Sequence, residues 1–240
     1  AFKNIISNGL VLDKNGNKMS KRLGNAVDPF EVLDTYGADA TRWYMISNSQ
    51  PWDNLKFDKD GVDEVRRKFF GTLYNTYSFF ALYANVDSFT GREPEVPMEK
   101  RPEIDRWIIS LLNTLVKEVT ENLDAYEIGV ASAKVYDFLW DTYCDWYIEL
   151  TKTRLQGEDE GAKLAAQNVL CFVLTELLKL LHPFMPFITE EIYQALPHEE
   201  QFIMTSRWPE YRADLTFPEE EAAMEAVMDT IKAIRARRAE

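Results

Sequence analysis

The spacing of apolar residues changes character near residue 60. Before that point the apolar runs are short and broken by turn formers. Ile5-Ile6 and Leu10-Val11-Leu12 are β-prone, and Ser7-Asn8-Gly9 between them is turn chemistry, so the segment predicts a hairpin. Its exit, Asp13-Lys14-Asn15-Gly16-Asn17, holds an Asn-Gly pair suited to positive φ and leads into a polar loop from Lys18 to Asn25. Asp28-Pro29 predicts the N-cap and first residue of a short helix. A second helix is expected from Ala38 through Met45. Ser47 to Asp60 reads as loop, with Pro51, Trp52 and Phe57 as packing anchors.

Past residue 60 the pattern is helical. One helix is expected over Val62 to Tyr83. Between Glu103 and Leu123, Ile104, Trp107, Ile108, Leu111, Leu112, Leu115 and Val119 fall at three- and four-residue steps and mark one apolar stripe. Val135, Phe138, Leu139, Trp146, Tyr147 and Leu150 mark a second long helix. Val169, Phe172, Val173, Leu177, Leu178 and Leu181 mark a third, apolar nearly all round and therefore central. His182-Pro183-Phe184-Met185-Pro186 stops it, and Thr189 is expected to open a shorter helix. The last helix, from Pro218 to Arg238, is acidic at its start and basic at its end, as the helix dipole prefers. Polar breaks fall after Tyr83, through Gly91, Pro94 and Pro97, and again at Gly157 to Gly161. The fold class expected is mainly α: a small mixed α/β module over residues 1–60, then an α-helical bundle over 61–240.

Composition narrows the functional classes. The chain has 240 residues, 46% hydrophobic and 28% charged, with ten Gly and ten Pro, which excludes collagen-like and disordered classes. No apolar run approaches the roughly 18 residues of a membrane span, and the N-terminus lacks signal-peptide regions, so a soluble cytoplasmic protein is expected. Without a starting Met, the sequence is read as a piece of something longer. Cys144 and Cys171 lack the close pairing of a zinc site, so no zinc or other metal centre is expected, and both read as buried free thiols. Residues 1–60 carry eight basic and eight acidic residues, so the net charge of −13 lies entirely in residues 61–240. On charge alone that second part lacks the basic face of a nucleic-acid binder.

Lys18-Met19-Ser20-Lys21-Arg22 gathers three cations and a hydroxyl in one loop. Lysines so placed can clamp polyphosphate oxygens as charge develops, and two lysines by themselves equally describe a solvated loop. The longer string, with Leu23-Gly24-Asn25, Asp28-Pro29 and then Gly37-Ala38-Asp39-Ala40-Thr41-Arg42, is far more specific. It resembles the signature loop of class I aminoacyl-tRNA synthetases of the branched-chain subgroup, K-M-S-K-S written here with Arg22 in the last place. Gly37 to Arg42 is similar to the G-A-D-A-L-R that follows in that family, with Thr41 for Leu. The segments Arg42-Trp43-Tyr44, Gln50 to Phe57, Arg67 to Tyr77 and Arg101 to Trp107 resemble the isoleucyl members. From about Tyr136, in Tyr143 to Leu150, His182 to Glu191 and Ile231 to Glu240, the wording resembles the valyl members.

The resemblance implies activation of isoleucine (valine as the alternative) by ATP with Mg, followed by transfer to tRNA. It implies that Lys18 and Lys21 hold the ATP phosphates, with Lys21 first for the pyrophosphate. Met19, Ser20 and Arg22 belong to the same ATP loop, Met19 anchoring it by packing. The helical part looks like the anticodon-binding bundle. The family's H-x-G-H is absent: His182 and His198 are too far apart and read as helix-end residues, so the isolated chain is expected to make no aminoacyl adenylate. In the bundle, Tyr74, Tyr77, Phe79, Phe80, Trp140, Trp146 and Tyr147 could stack on anticodon bases, although helical spacing favours core packing. Lys232, Arg235, Arg237 and Arg238 could meet tRNA phosphates or simply complement a helix dipole. A non-catalytic RNA-binding helical module is the rival class.

Overall fold

A computed structural model describes residues 2–239. The chain is mainly α-helical with one pair of two-residue strands, and it holds two apolar clusters. The smaller unites Val32, Ala40, Tyr44, Leu55, Phe57 and Val62. The larger fills the bundle, around Leu73, Trp107, Leu139, Val169, Leu174 and Leu177.

The N-terminal hairpin predicted from Ile5-Ile6 and Leu10-Val11-Leu12 is not what forms. Strand β1 (Val11–Leu12) pairs in parallel with β2 (Leu55–Lys56), Val11 opposite Leu55 and Leu12 opposite Lys56. The β-prone residues were recognisable, whereas a partner 44 positions away leaves no local signal. Backbone contacts fix the pairing: Gly9 N–H donates to the Pro51 carbonyl (2.9 Å) and Leu10 N–H to Asn54 Oδ1 (2.8 Å). A Cβ at Gly9 would sit 2.0 Å from the Asp53 carbonyl oxygen, so only glycine permits this approach. The Asn15-Gly16 turn does form, with Gly16 at φ +86°, and joins Leu12 to Lys18 through an antiparallel bridge.

Helix α1 (Pro29–Tyr36) starts as expected, its cap Asp28 accepting the Phe30 N–H at 2.9 Å. Helix α2 (Ala38–Ser47) follows after Gly37 alone. Helices α3 (Lys59–Val65) and α4 (Gly71–Val86) flank a π-helical segment, Arg66–Phe70. Helix α5 (Glu103–Asp124) buries the predicted stripe. Helices α6 (Ile128–Asp137) and α7 (Glu149–Leu155) flank a second π-helical segment, Phe138–Ile148. The wider winding still turns Leu139, Tyr143 and Tyr147 fully into the core.

Helix α8 (Glu160–Leu181) is capped by Asp159, which accepts from Gly161 and Ala162. By length and composition α8 could cross a membrane, contrary to the expectation from the sequence, yet 67% of its most apolar stretch is buried inside the fold. It is the central helix of the bundle. Helix α9 begins at Pro186 and ends at Ala195, so Thr189 lies inside it and does not open it. Its hydroxyl donates to the Met185 carbonyl at 2.7 Å. Helix α10 (Pro218–Ala239) is fastened to α5 by Arg106–Glu220 (2.6 Å) and by Ser110, which bonds Glu221 and accepts the Phe217 N–H. Cys144 and Cys171 are free and half-buried, and burial pushes both thiols up to about 11, so they stay neutral and unreactive near pH 7.

The fully buried Asp105 is the electrostatic knot of the bundle. It accepts from Arg154 Nη1 (2.9 Å) and Nη2 (2.6 Å) and from the Tyr147 hydroxyl (2.7 Å). Removing the carboxylate leaves a half-buried guanidinium and a buried phenol without their acceptor. Asp105→Ala is therefore expected to cost about 3–5 kcal/mol, read as a lowered midpoint in urea unfolding; a loss under about 1 kcal/mol would mean that the knot carries little stability.

Candidate functional site

Residues 12–25 form a closed loop that presents its cations to solvent. Leu12 bridges Lys18, and Ser20 caps a single 3-10 turn, Lys21–Leu23, by accepting the Arg22 N–H at 3.2 Å. Gly24 ends that turn at φ +69° and donates to the Lys21 carbonyl, a left-handed position that favours glycine. Asn25 latches the loop from within. Its Oδ1 accepts the Ser20 N–H (2.9 Å), while its Nδ2 donates to Asp13 Oδ2 (2.9 Å) and to the Lys18 carbonyl (3.2 Å). The Asn25 amide and the backbone N–H groups of Asn17 and Asn15 hold the Asp13 carboxyl below its ordinary value.

Lys18, Lys21 and Arg22 are exposed, and among the described residues no carboxylate forms an ion pair with any of them. Met19 is partly buried against the smaller cluster. The loop thus offers cations and a hydroxyl on an open, pre-shaped turn. Asn25 and Asp13 hold the loop closed, a part that sequence reasoning did not assign to them; the signal in the sequence was an Asn directly after Gly24.

The Gly37–Arg42 string does something different. Asp39 is 5% exposed, and it accepts the Phe187 N–H (3.4 Å) and Ile188 N–H (2.6 Å) at the start of α9. Burial pushes its carboxyl up, and the two N–H groups pull it back. Arg42 donates from Nε to the Phe184 carbonyl (3.0 Å) and from Nη2 to the Pro183 carbonyl (2.9 Å). Trp43 meets Phe184 edge-on at 5.9 Å. His182 precedes this turn, its Nδ1 2.8 Å from the Thr189 hydroxyl, and burial holds the imidazole below its ordinary value. His198 follows α9, its Nδ1 2.7 Å from the Leu196 carbonyl.

The C-terminal cations lie on the exposed face of α10. Lys232 and Arg235 stand over the Trp146 ring at 5.9 and 5.8 Å, and Arg237 and Arg238 lie exposed further along the same helix. Of the candidate stacking aromatics, Phe80 and Tyr147 are buried core, whereas Tyr74 is 59% exposed. A groove of about 1070 Å³ between α8, the residues after α9 and the loop after α4 is lined by Asn168, Phe172, Thr175, Arg92, His198 and Arg207, with no residue of the lysine loop. Among the described residues no group of three or more His, Cys, Asp or Glu side chains is placed to hold a metal ion.

The family described as the anticodon-binding domain of tRNA ligase matches residues 105–240. The chain belongs to that family. Residues 1–58 match the class I tRNA synthetases for I, L, M and V. An isoleucine–tRNA ligase of Bacteroides fragilis is 51% identical over 99% of this chain, which spans 21% of that relative's length. A valine–tRNA ligase of Clostridium tetani is 46% identical over 98% of the chain and 26% of its own length. A LeuRS–tRNA–LeuAMS ternary complex from Agrobacterium radiobacter shares the fold, with a TM-score of 0.65 at 24% identity over 88% of this chain and 24% of that one.

Proposed function

We propose that this chain supplies the ATP-phosphate loop and the anticodon-reading bundle of an isoleucine–tRNA ligase working in the cytoplasm. The observation that carries the reading is the latched loop of exposed cations at Lys18, Lys21 and Arg22, in a chain 51% identical to an isoleucine–tRNA ligase over nearly its whole length. The catalytic-loop module is assigned to residues 1–60 and the bundle to 61–240, a division that the family matches at 1–58 and 105–240 support. Valine is the second reading, favoured by the 46% identity to a valine–tRNA ligase.

In this reading the isoleucine carboxylate attacks the α-phosphate of Mg-bound ATP, and pyrophosphate leaves. Negative charge grows on the departing phosphates, and ammonium groups fixed beforehand stabilise it without reorganising. Lys21, on the 3-10 turn, meets the pyrophosphate and Lys18 assists. Ser20 and Arg22 orient the same oxygens, while Met19 holds the loop to its module. The rest of the ligase contributes the isoleucine pocket. Lys21→Ala in the full-length ligase is expected to slow single-turnover adenylation about 10²–10³-fold, with isoleucine binding little changed. An unchanged rate would remove the assigned role.

The bundle reads tRNA in this scheme despite its acidity. Lys232 and Arg235 stand beside Trp146 and, with Arg237 and Arg238 further along the same helix, supply the phosphate contacts; stacking and hydrogen bonds to splayed anticodon bases supply specificity. Affinity of the bundle by itself is low, and tRNA held at the catalytic centre presents its anticodon at high effective concentration. Anticodon changes in an isoleucine tRNA are therefore expected to reduce aminoacylation by the full-length ligase, whereas valine tRNA is charged poorly throughout. Efficient charging of valine tRNA would establish the second reading instead.

A further inference from the structure

Helix α9 has no cap of its own. Its N-cap position is Met185, which makes no side-chain cap hydrogen bond, and its first residue, Pro186, has no N–H to offer. The donors that need a partner are the N–H groups of Phe187 and Ile188, and both are satisfied by Asp39, about 150 positions earlier in the chain. The carbonyls of Pro183 and Phe184, just past the end of α8, are likewise taken by Arg42 from the same helix face. One turn of α2 thus supplies an acid to the positive end of α9 and a base to the carbonyls that follow α8, each matched to the local dipole.

The same helix is tied to the lysine loop. Gly37 alone separates α1 from α2, and Thr41 Oγ1 donates back to the Gly37 carbonyl at 2.9 Å. Helix α1 begins at its Asp28 cap, three residues after the Asn25 latch. A shift of the α8–α9 turn therefore cannot be absorbed at α2 without breaking four charge-assisted hydrogen bonds. We propose that Asp39 and Arg42 are positioning residues that transmit the location of the bundle's α8–α9 turn, through α2 and α1, to the lysine loop. Under the function proposed above, on which this inference rests, tRNA seated on the bundle would in this way set where Lys18 and Lys21 stand.

Hydrogen exchange on the 240-residue chain tests the link directly. The amides of Ser20, Arg22, Leu23 and Gly24 are hydrogen-bonded within the loop and none touches Asp39 or Arg42. Asp39→Ala and Arg42→Ala are each expected to speed exchange at these four amides by about tenfold or more, with the α5 core amides unchanged. Faster exchange confined to Phe187 and Ile188 would overturn the inference and leave a local cap only. Should Asp39→Ala lose protection throughout, Asp39→Asn, which keeps one acceptor oxygen, is the variant to compare: faster loop exchange is again expected, and unchanged loop exchange overturns it. In the full-length ligase, Asp39→Ala is expected to lower the adenylation kcat about five- to tenfold while the KM for isoleucine holds. Normal adenylation in Asp39→Ala beside a slow Lys21→Ala defeats this inference alone, whereas a normal Lys21→Ala defeats the functional reading beneath it.

Discussion

Helix α2 bears on both apolar clusters at once, and the arrangement of the chain follows from that constraint. Ala40 and Tyr44 face the smaller cluster, while Trp43 enters the larger one against Phe69 and Phe184. A helix shared in this way cannot be reoriented without opening one core or the other. Asp39 fixes its rotation further. A carboxylate this buried is costly unless donors are aimed at it, and the free N–H groups of α9 are the donors at hand. The buried charge is satisfied only when the small module sits in one pose on the bundle.

Electrostatics are divided along the same line. The first sixty residues are neutral overall, yet their loop exposes Lys18, Lys21 and Arg22, and among the described residues no carboxylate forms an ion pair with them. The bundle carries the whole negative charge, and some of its acids are paired internally: Asp105 with Arg154, Glu220 with Arg106, Glu118 with Lys134, Glu176 with Lys179. An acidic surface repels RNA phosphates except where cations gather. On α10, Lys232 and Arg235 gather over the Trp146 ring.

Local signals carried much of this architecture. The Asp28-Pro29 start of α1, the stripe of α5 and the central character of α8 were legible because caps and helical periodicity act over a few residues. The parallel pairing of Val11–Leu12 with Leu55–Lys56 was not, since β-propensity names a strand but not its partner. The start of α9 was misplaced at Thr189 because its capping group is Asp39, which lies on another helix. At the candidate site the cations could be read from the string Lys18 to Arg22, but the Asn25 latch could not. A side chain that bonds Asp13, Lys18 and Ser20 together reveals its role only once the loop has closed.

The central claim is that one shared helix makes the lysine-loop module and the bundle a single cooperative body. Scanning calorimetry of the 240-residue chain tests it most directly. The account predicts one transition whose calorimetric and van't Hoff enthalpies agree. Two separated transitions, the smaller one arising from the first sixty residues, would contradict it.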